Sequence, residues 1–138
     1  TTEYSVVIKG KTVPYKAITG MQPVWDDNGN ITASLYYTYY KRSDIKNDEN
    51  RPIIMSFNGG PGSASVWMHI AYTGPKVLKI DDEGYPVQPY GIKDNPNSIL
   101  DVADIVYVNP VNTGYPRPAA SPRPRAGGPA PRSPRSGR

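Results

Sequence analysis

The chain has 138 residues, room for one domain with a modest core, and its formal net charge is +4. It has no cysteine, which excludes disulfides and thiolate metal sites, and no apolar run approaches the roughly 20 residues of a membrane-crossing helix. Six of the sixteen basic residues fall within 117–138, leaving ten against twelve acids over 1–116, so a basic nucleic-acid-binding face on the body is not supported.

The opening "TTEYSVV" has no initiating Met, basic n-region or apolar h-region, and reads as an internal piece or a processed product. Residues 4–9, "YSVVIK", are β-rich. The "GK" at 10–11 signals a turn, and 12–19, "TVPYKAIT", is a second extended run. Together they predict an antiparallel hairpin, with Pro14 at an edge or a bulge. "DDNGN" at 26–30 is a strong turn, Asn28-Gly29 being suited to positive φ. The aromatic and β-branched run 31–40, "ITASLYYTYY", predicts a strand, and "KRSDIKNDEN" a charged surface loop.

Residues 52–57, "PIIMSF", form a short apolar run that predicts a buried strand. A glycine loop follows. Residues 65–71, "SVWMHIA", then predict one or two helical turns, with Ser63 or Ser65 as the cap and "TGP" at 73–75 as the stop. A short strand is expected at 77–80, a turn at "DDEGYP", a loop or capping segment at "DNPNS", and a second buried strand at 102–109, "VADIVYVN". A Pro/Gly turn, "PVNTGY", closes the pattern. Six or so strands with little helix, antiparallel first and then two buried strands leading into glycine loops, fit the start of an α/β sheet with an antiparallel edge.

The stretch 57–67, "FNGGPGSASVW", admits four readings. It can be a tight structural turn, since Gly supplies unusual backbone angles and Pro61 stiffens the bend. Phosphate binding fails on spacing: Ser63-Ala64 follows Gly62 where a P-loop needs Lys-Ser/Thr, and Ser65 stands where a dinucleotide fingerprint wants glycine. A nucleophile elbow at Ser63 or Ser65 lacks the Gly-x-Ser-x-Gly pattern, and His69, the sole histidine, is the single candidate base. Beside Trp67 and Met68 it reads more simply as a packing residue. Finally, a strand ending in glycines can aim backbone N–H groups at a developing oxyanion.

"FNGGPGSASVWMHIAYTGP" resembles the Asn-Gly-Gly-Pro-Gly signature of the serine carboxypeptidase family of α/β-hydrolases. "DNPNSILDVADIVYVNPVNTGY" resembles the same family's Asn-Pro-x-Ser block, its next strand and its Pro-Val-x-Thr-Gly-Tyr turn. The blocks occur in the family's order, the opening hairpins look like those of its bacterial branch, and the resemblance covers 1–115. It implies that 1–116 is the N-terminal part of an α/β-hydrolase fold. Asn58 would hold the substrate's C-terminal carboxylate, and Gly60, with Gly59 beside it, would supply an oxyanion-hole N–H. The implied reaction releases C-terminal residues from a peptide or protein through an acyl-enzyme. It needs no metal or cofactor, and the parent would be secreted or periplasmic.

The chain also departs from the family. Ser63 stands where many members carry Cys, and Tyr72 where many carry a Glu that helps recognise the carboxylate. Asn112, at an often-glycine position, tolerates left-handed geometry. The family's nucleophile, Asp and His lie further along much longer chains, so no catalytic triad residue is expected here and the chain alone should not turn over substrate.

Residues 117–138 contain only Arg, Pro, Ala, Gly and Ser, and Arg replaces the Lys that predominates before them. The segment reads as a disordered tail from a frameshift or a chimeric junction. The alternative is a non-enzymatic β-rich remnant whose basic arm binds acidic partners.

Overall fold

The computed structural model describes residues 1–46, 50–59, 62–113 and 118. The chain begins with three long strands, β1 (Thr2–Ile8), β2 (Lys11–Trp25) and β3 (Ile31–Arg42). The short strand β4 (Ile53–Ser56) follows, then a π-helical segment, Met68–Thr73. Next come β5 (Lys76–Leu78), β6 (Ile92–Asp94), a 3-10 turn at Ile99–Asp101, and β7 (Asp104–Asn109). Five strands make one mixed sheet in the order β1-β2-β3-β7-β4, antiparallel throughout except for the parallel β4–β7 pair, while β5 and β6 pair separately.

Local chemistry explains the meander. Lys9 and Gly10 both take positive φ, +49° and +79°, and close a two-residue hairpin on the Ile8–Lys11 pair. The expected turn thus sits one residue earlier than the "GK" signal. At the next turn the Asp26 carboxylate accepts N–H bonds from Asn28 (2.9 Å) and Asn30 (2.8 Å), with Gly29 at φ +81°. Pro14 lies opposite Ser5 in β2, where the ladder to β3 ends at Tyr15–Arg42; the bulge falls instead at Val24/Trp25.

Strand register sorts the side chains. Val6 faces Val13, Ala17 faces Tyr40, Tyr40 faces Ile105 and Thr38 faces Tyr107, so these residues share one side of the sheet. That side is the core: Val6, Ile8, Val13, Tyr15, Ile105 and Tyr107 are buried with Leu100, and Met68 and Ile99 pack over them. On the opposite side Leu35, Tyr37, Tyr39, Met55, Val106 and Val108 line an open apolar groove of about 300 Å³.

The two strands expected to be buried part company here. β7 is central, with Ile105 fully buried between β3 and β4. β4 exists, but as the sheet edge, and Ile53 and Met55 are 59% and 65% exposed. Its apolar composition matches a two-sided environment that the described residues do not supply. The short strand expected at 77–80 is β5, Lys76–Leu78, with Ile80 in an isolated bridge to Pro86. Its partner β6 carries too few apolar residues in "IKD" for a pattern to show. The tail expected over 117–138 lies outside the described residues apart from Pro118, which bridges to Ala33.

Candidate functional site

The glycine loop leaves the C-terminal end of β4 and returns at Ser65. The Asn58 N–H donates to Ser65 Oγ at 3.0 Å, its Nδ2 donates to Ser63 Oγ at 2.6 Å, and its Oδ1 accepts the Gly59 N–H at 3.1 Å. Asn58 therefore organises the loop from within. Gly59 is the one expected oxyanion donor within the described residues, and its N–H is turned towards Asn58. Gly60, the other, lies outside them. Gly62 has φ +82°, a conformation that side chains other than glycine's rarely adopt. Gly59 differs: its φ is ordinary, and an added Cβ would meet no atom within 4 Å.

Neither serine is a nucleophile here. Ser65 is 1% exposed, its hydroxyl donating to the Val108 carbonyl at 2.5 Å and accepting from Asn58. Its N–H donates to Asn109 Oδ1 at 2.9 Å. Nor does a serine cap the helical segment, which starts after Trp67 with no side-chain cap bond. His69 turns its ring away from both serines. Its Nε2 is hydrogen-bonded to the Tyr40 hydroxyl, and the ring stacks on Tyr107 with centroids 4.6 Å apart. Burial holds the imidazole below its ordinary pKa and so favours the neutral ring in this contact. The packing role for His69 is the one the structure shows.

The second block holds the end of the first. Asn95, 4% exposed, donates through Nδ2 to the carbonyls of Tyr72 (2.9 Å) and Gly74 (2.8 Å), and Ser98 Oγ donates to Thr73 O at 3.1 Å. Three successive carbonyls at the close of the helical segment are thus satisfied by the "NPNS" side chains. Gly74 is obligatory for steric reasons: a Cβ there would lie 2.0 Å from the His69 carbonyl oxygen. Tyr72 itself is 64% exposed and free to face a ligand. Asn112 takes φ +67°, the left-handed geometry anticipated for it.

Beneath the loops, Asp104 anchors both sides of the 43–50 connection. Its Oδ1 accepts from Arg51 Nε (2.8 Å) and the Arg42 N–H (3.0 Å), and its Oδ2 from the Tyr39 hydroxyl (3.1 Å). Arg51 also donates to the Leu100 carbonyl at 2.6 Å. The site so assembled places an asparagine and a glycine, each with its N–H bonded within the loop, at the end of a parallel strand pair. Among the described residues no serine, base and acid stand in a catalytic relationship.

Sequence reasoning singled out Asn58, Gly59 and Ser65 but not the contact of Ser65 with Asn109, 44 residues away. The available signal was a polar residue between a buried strand and Pro110.

A family model described as serine carboxypeptidase matches residues 9–122. Carboxypeptidase Y homolog A of Emericella nidulans is 35% identical over 92 residues, which is 65% of this chain and 14% of that relative. The protein of the same name from Aspergillus oryzae is 35% identical over 91 residues, 65% of this chain and 15% of its own length. That from Pyrenophora tritici-repentis is 32% identical over 91 residues, again 65% and 15%. The chain spans about one seventh of the length of these curated relatives.

Proposed function

The chain belongs to the serine carboxypeptidase family, and on that premise we propose that residues 1–116 are the N-terminal portion of an α/β-hydrolase domain that releases C-terminal amino acids from peptides. In this reading the β4 loop is its oxyanion and carboxylate site. Gly60, with Gly59 beside it, supplies an N–H to the tetrahedral intermediate, and Asn58 binds the terminal carboxylate. No residue of this chain is assigned as the nucleophile, its base or the orienting acid. The mixed sheet is compatible with this, since β7 and β4 form the one parallel pair and the loop leaves its C-terminal end.

The observation that carries the reading is Gly59. Neither backbone strain nor neighbouring atoms among the described residues demand a glycine there. What the missing Cβ keeps clear is space outside the loop, where a substrate carbonyl would approach.

The same property supplies the test. Gly59→Ala is expected to leave the fold intact. In a longer parent chain carrying the nucleophile, its added Cβ is expected to displace the approaching substrate and lower kcat for N-acyl dipeptides by up to about 100-fold. Unchanged kcat would remove the loop from the chemistry. The 138-residue chain alone is expected to release no amino acid, because its only histidine is committed to Tyr40 and Tyr107.

A further inference from the structure

We propose that Ser65 and Asn109 are positioning residues that set the glycine loop from the central strand β7 rather than from β4, the strand it follows. β4 is poorly suited to hold a loop to the few tenths of an ångström that a preorganised site requires. It has four residues, pairs on one side only among the described residues, and exposes Ile53 and Met55; Phe57, at the loop's start, is 68% exposed. β7 is paired on both sides and buries Ile105 and Tyr107.

Three hydrogen bonds transfer that rigidity. The Ser65 hydroxyl accepts from the Asn58 N–H and closes the eight-residue loop at its base. The same hydroxyl donates to Val108 O, and the Ser65 N–H donates to Asn109 Oδ1. Ser65 is 1% exposed, so water does not replace these partners without the loop opening. The hydroxyl uses its one proton towards the strand and a lone pair towards Asn58. Alanine removes both connections, and Asn109→Ala removes the third alone. The two sequence blocks, far apart in the chain, thus act as one unit.

The clamp's catalytic consequence rests on the carboxypeptidase reading, but the clamp itself does not. Amide hydrogen exchange, followed residue by residue in the 138-residue chain, separates the two. In Ser65→Ala the Asn58 amide is expected to exchange at least about tenfold faster, while β3 and β7 amides keep their protection. In Asn109→Ala the Ser65 amide is expected to respond in the same way. Unchanged Asn58 and Ser65 amides overturn the proposal, as does uniform acceleration across the sheet in both variants. If Ser65→Ala does not fold, Asn109→Ala decides alone, because Asn109 is half-buried and its loss spares the core.

A second readout tests positioning against mere stability. A peptide with a free C-terminus is expected to shift the Gly59 amide resonance more than its C-amide does, and this difference should shrink in Ser65→Ala at a temperature well below its melting midpoint, where the variant is fully folded. A difference that Ser65→Ala leaves intact counts against positioning. A wild-type chain whose Gly59 ignores both peptides overturns a carboxylate site within these 138 residues, and the exchange data then still decide the clamp.

Discussion

Replacing Asp104 by alanine is expected to be the most damaging single polar change in the sheet. The carboxylate is 3% exposed and the Arg51 side chain 9%. Truncation leaves the Arg51 guanidinium bonded to the Leu100 carbonyl but without its carboxylate, and takes an acceptor from the Arg42 N–H and the Tyr39 hydroxyl. Breaking a buried pair from one side costs about 3–5 kcal/mol. A domain of this size has a total stability of roughly 0.05–0.15 kcal/mol per residue, or about 7–21 kcal/mol over 138 residues, so the loss would be between about a seventh and about seven tenths of it. Asp104→Asn, which keeps one acceptor oxygen but not the charge, should cost about half as much. Urea unfolding at low micromolar concentration, followed by far-UV circular dichroism, measures the difference; Trp25 and Trp67 are too exposed to report on the core. Arg51→Met combined with Asp104→Leu should be less destabilising than the two changes summed, by at least ~2 kcal/mol. A cost below ~1 kcal/mol for Asp104→Ala, or an additive cycle, would refute the reasoning.

Other consequences concern the histidine, the helical segment and the sheet edge. Because burial depresses the folded-state pKa of His69 below 6.5, the unfolded chain binds more protons between the two values. The stability it contributes is present above pH 6.5 and is lost as pH falls through the folded value, by at most about 1.36 kcal/mol per pH unit. Melting temperature should therefore drop between pH 7.5 and 5, and His69→Phe, which keeps the stack on Tyr107, should flatten that slope; an identical slope would exclude the histidine. Asp94, lowered chiefly by its bond to Lys76, contributes stability above pH 3.8 that is lost as pH falls through its folded value. Gly74→Ala must displace the His69 carbonyl and should cost about 1–3 kcal/mol by overpacking; thermal melts checking it should show no such loss at Gly59→Ala. The open edge of β4 predicts self-association of the isolated chain, and Met55→Lys should lower the associated fraction in sedimentation velocity at little cost in stability. Equal association in both proteins would take the edge out of the explanation.

Much of this molecule was legible along the chain. Hairpin positions followed from turn chemistry to within one residue, Gly10 and Gly29 taking the positive φ that local sequence calls for, although Lys9 rather than Lys11 joins Gly10 in the first turn. β3 followed from its aromatic and β-branched run. Asn58 and the glycines stood out because a strand ending in Gly-Gly-Pro-Gly is rare and has few uses, and a second block in the right order completed the resemblance.

Tertiary structure decided what depends on neighbours. An apolar tetrad cannot say whether it is central or at an edge, since burial is a property of what packs on each side; β4 and β7 read alike in sequence and differ in position. Serine followed by an apolar run reads as a helix cap, yet Ser65 spends its hydrogen bonds on Asn58 and Val108, because the sheet brings β7 within reach. His69 had no sequence neighbour to declare its role; stacking on Tyr107 and bonding to Tyr40 come from β7 and β3. Local backbone preference is written residue by residue and survives in the sequence, whereas the pairing of β7 with β4 and β3, across about 50 to 70 residues, exists only once the sheet has closed.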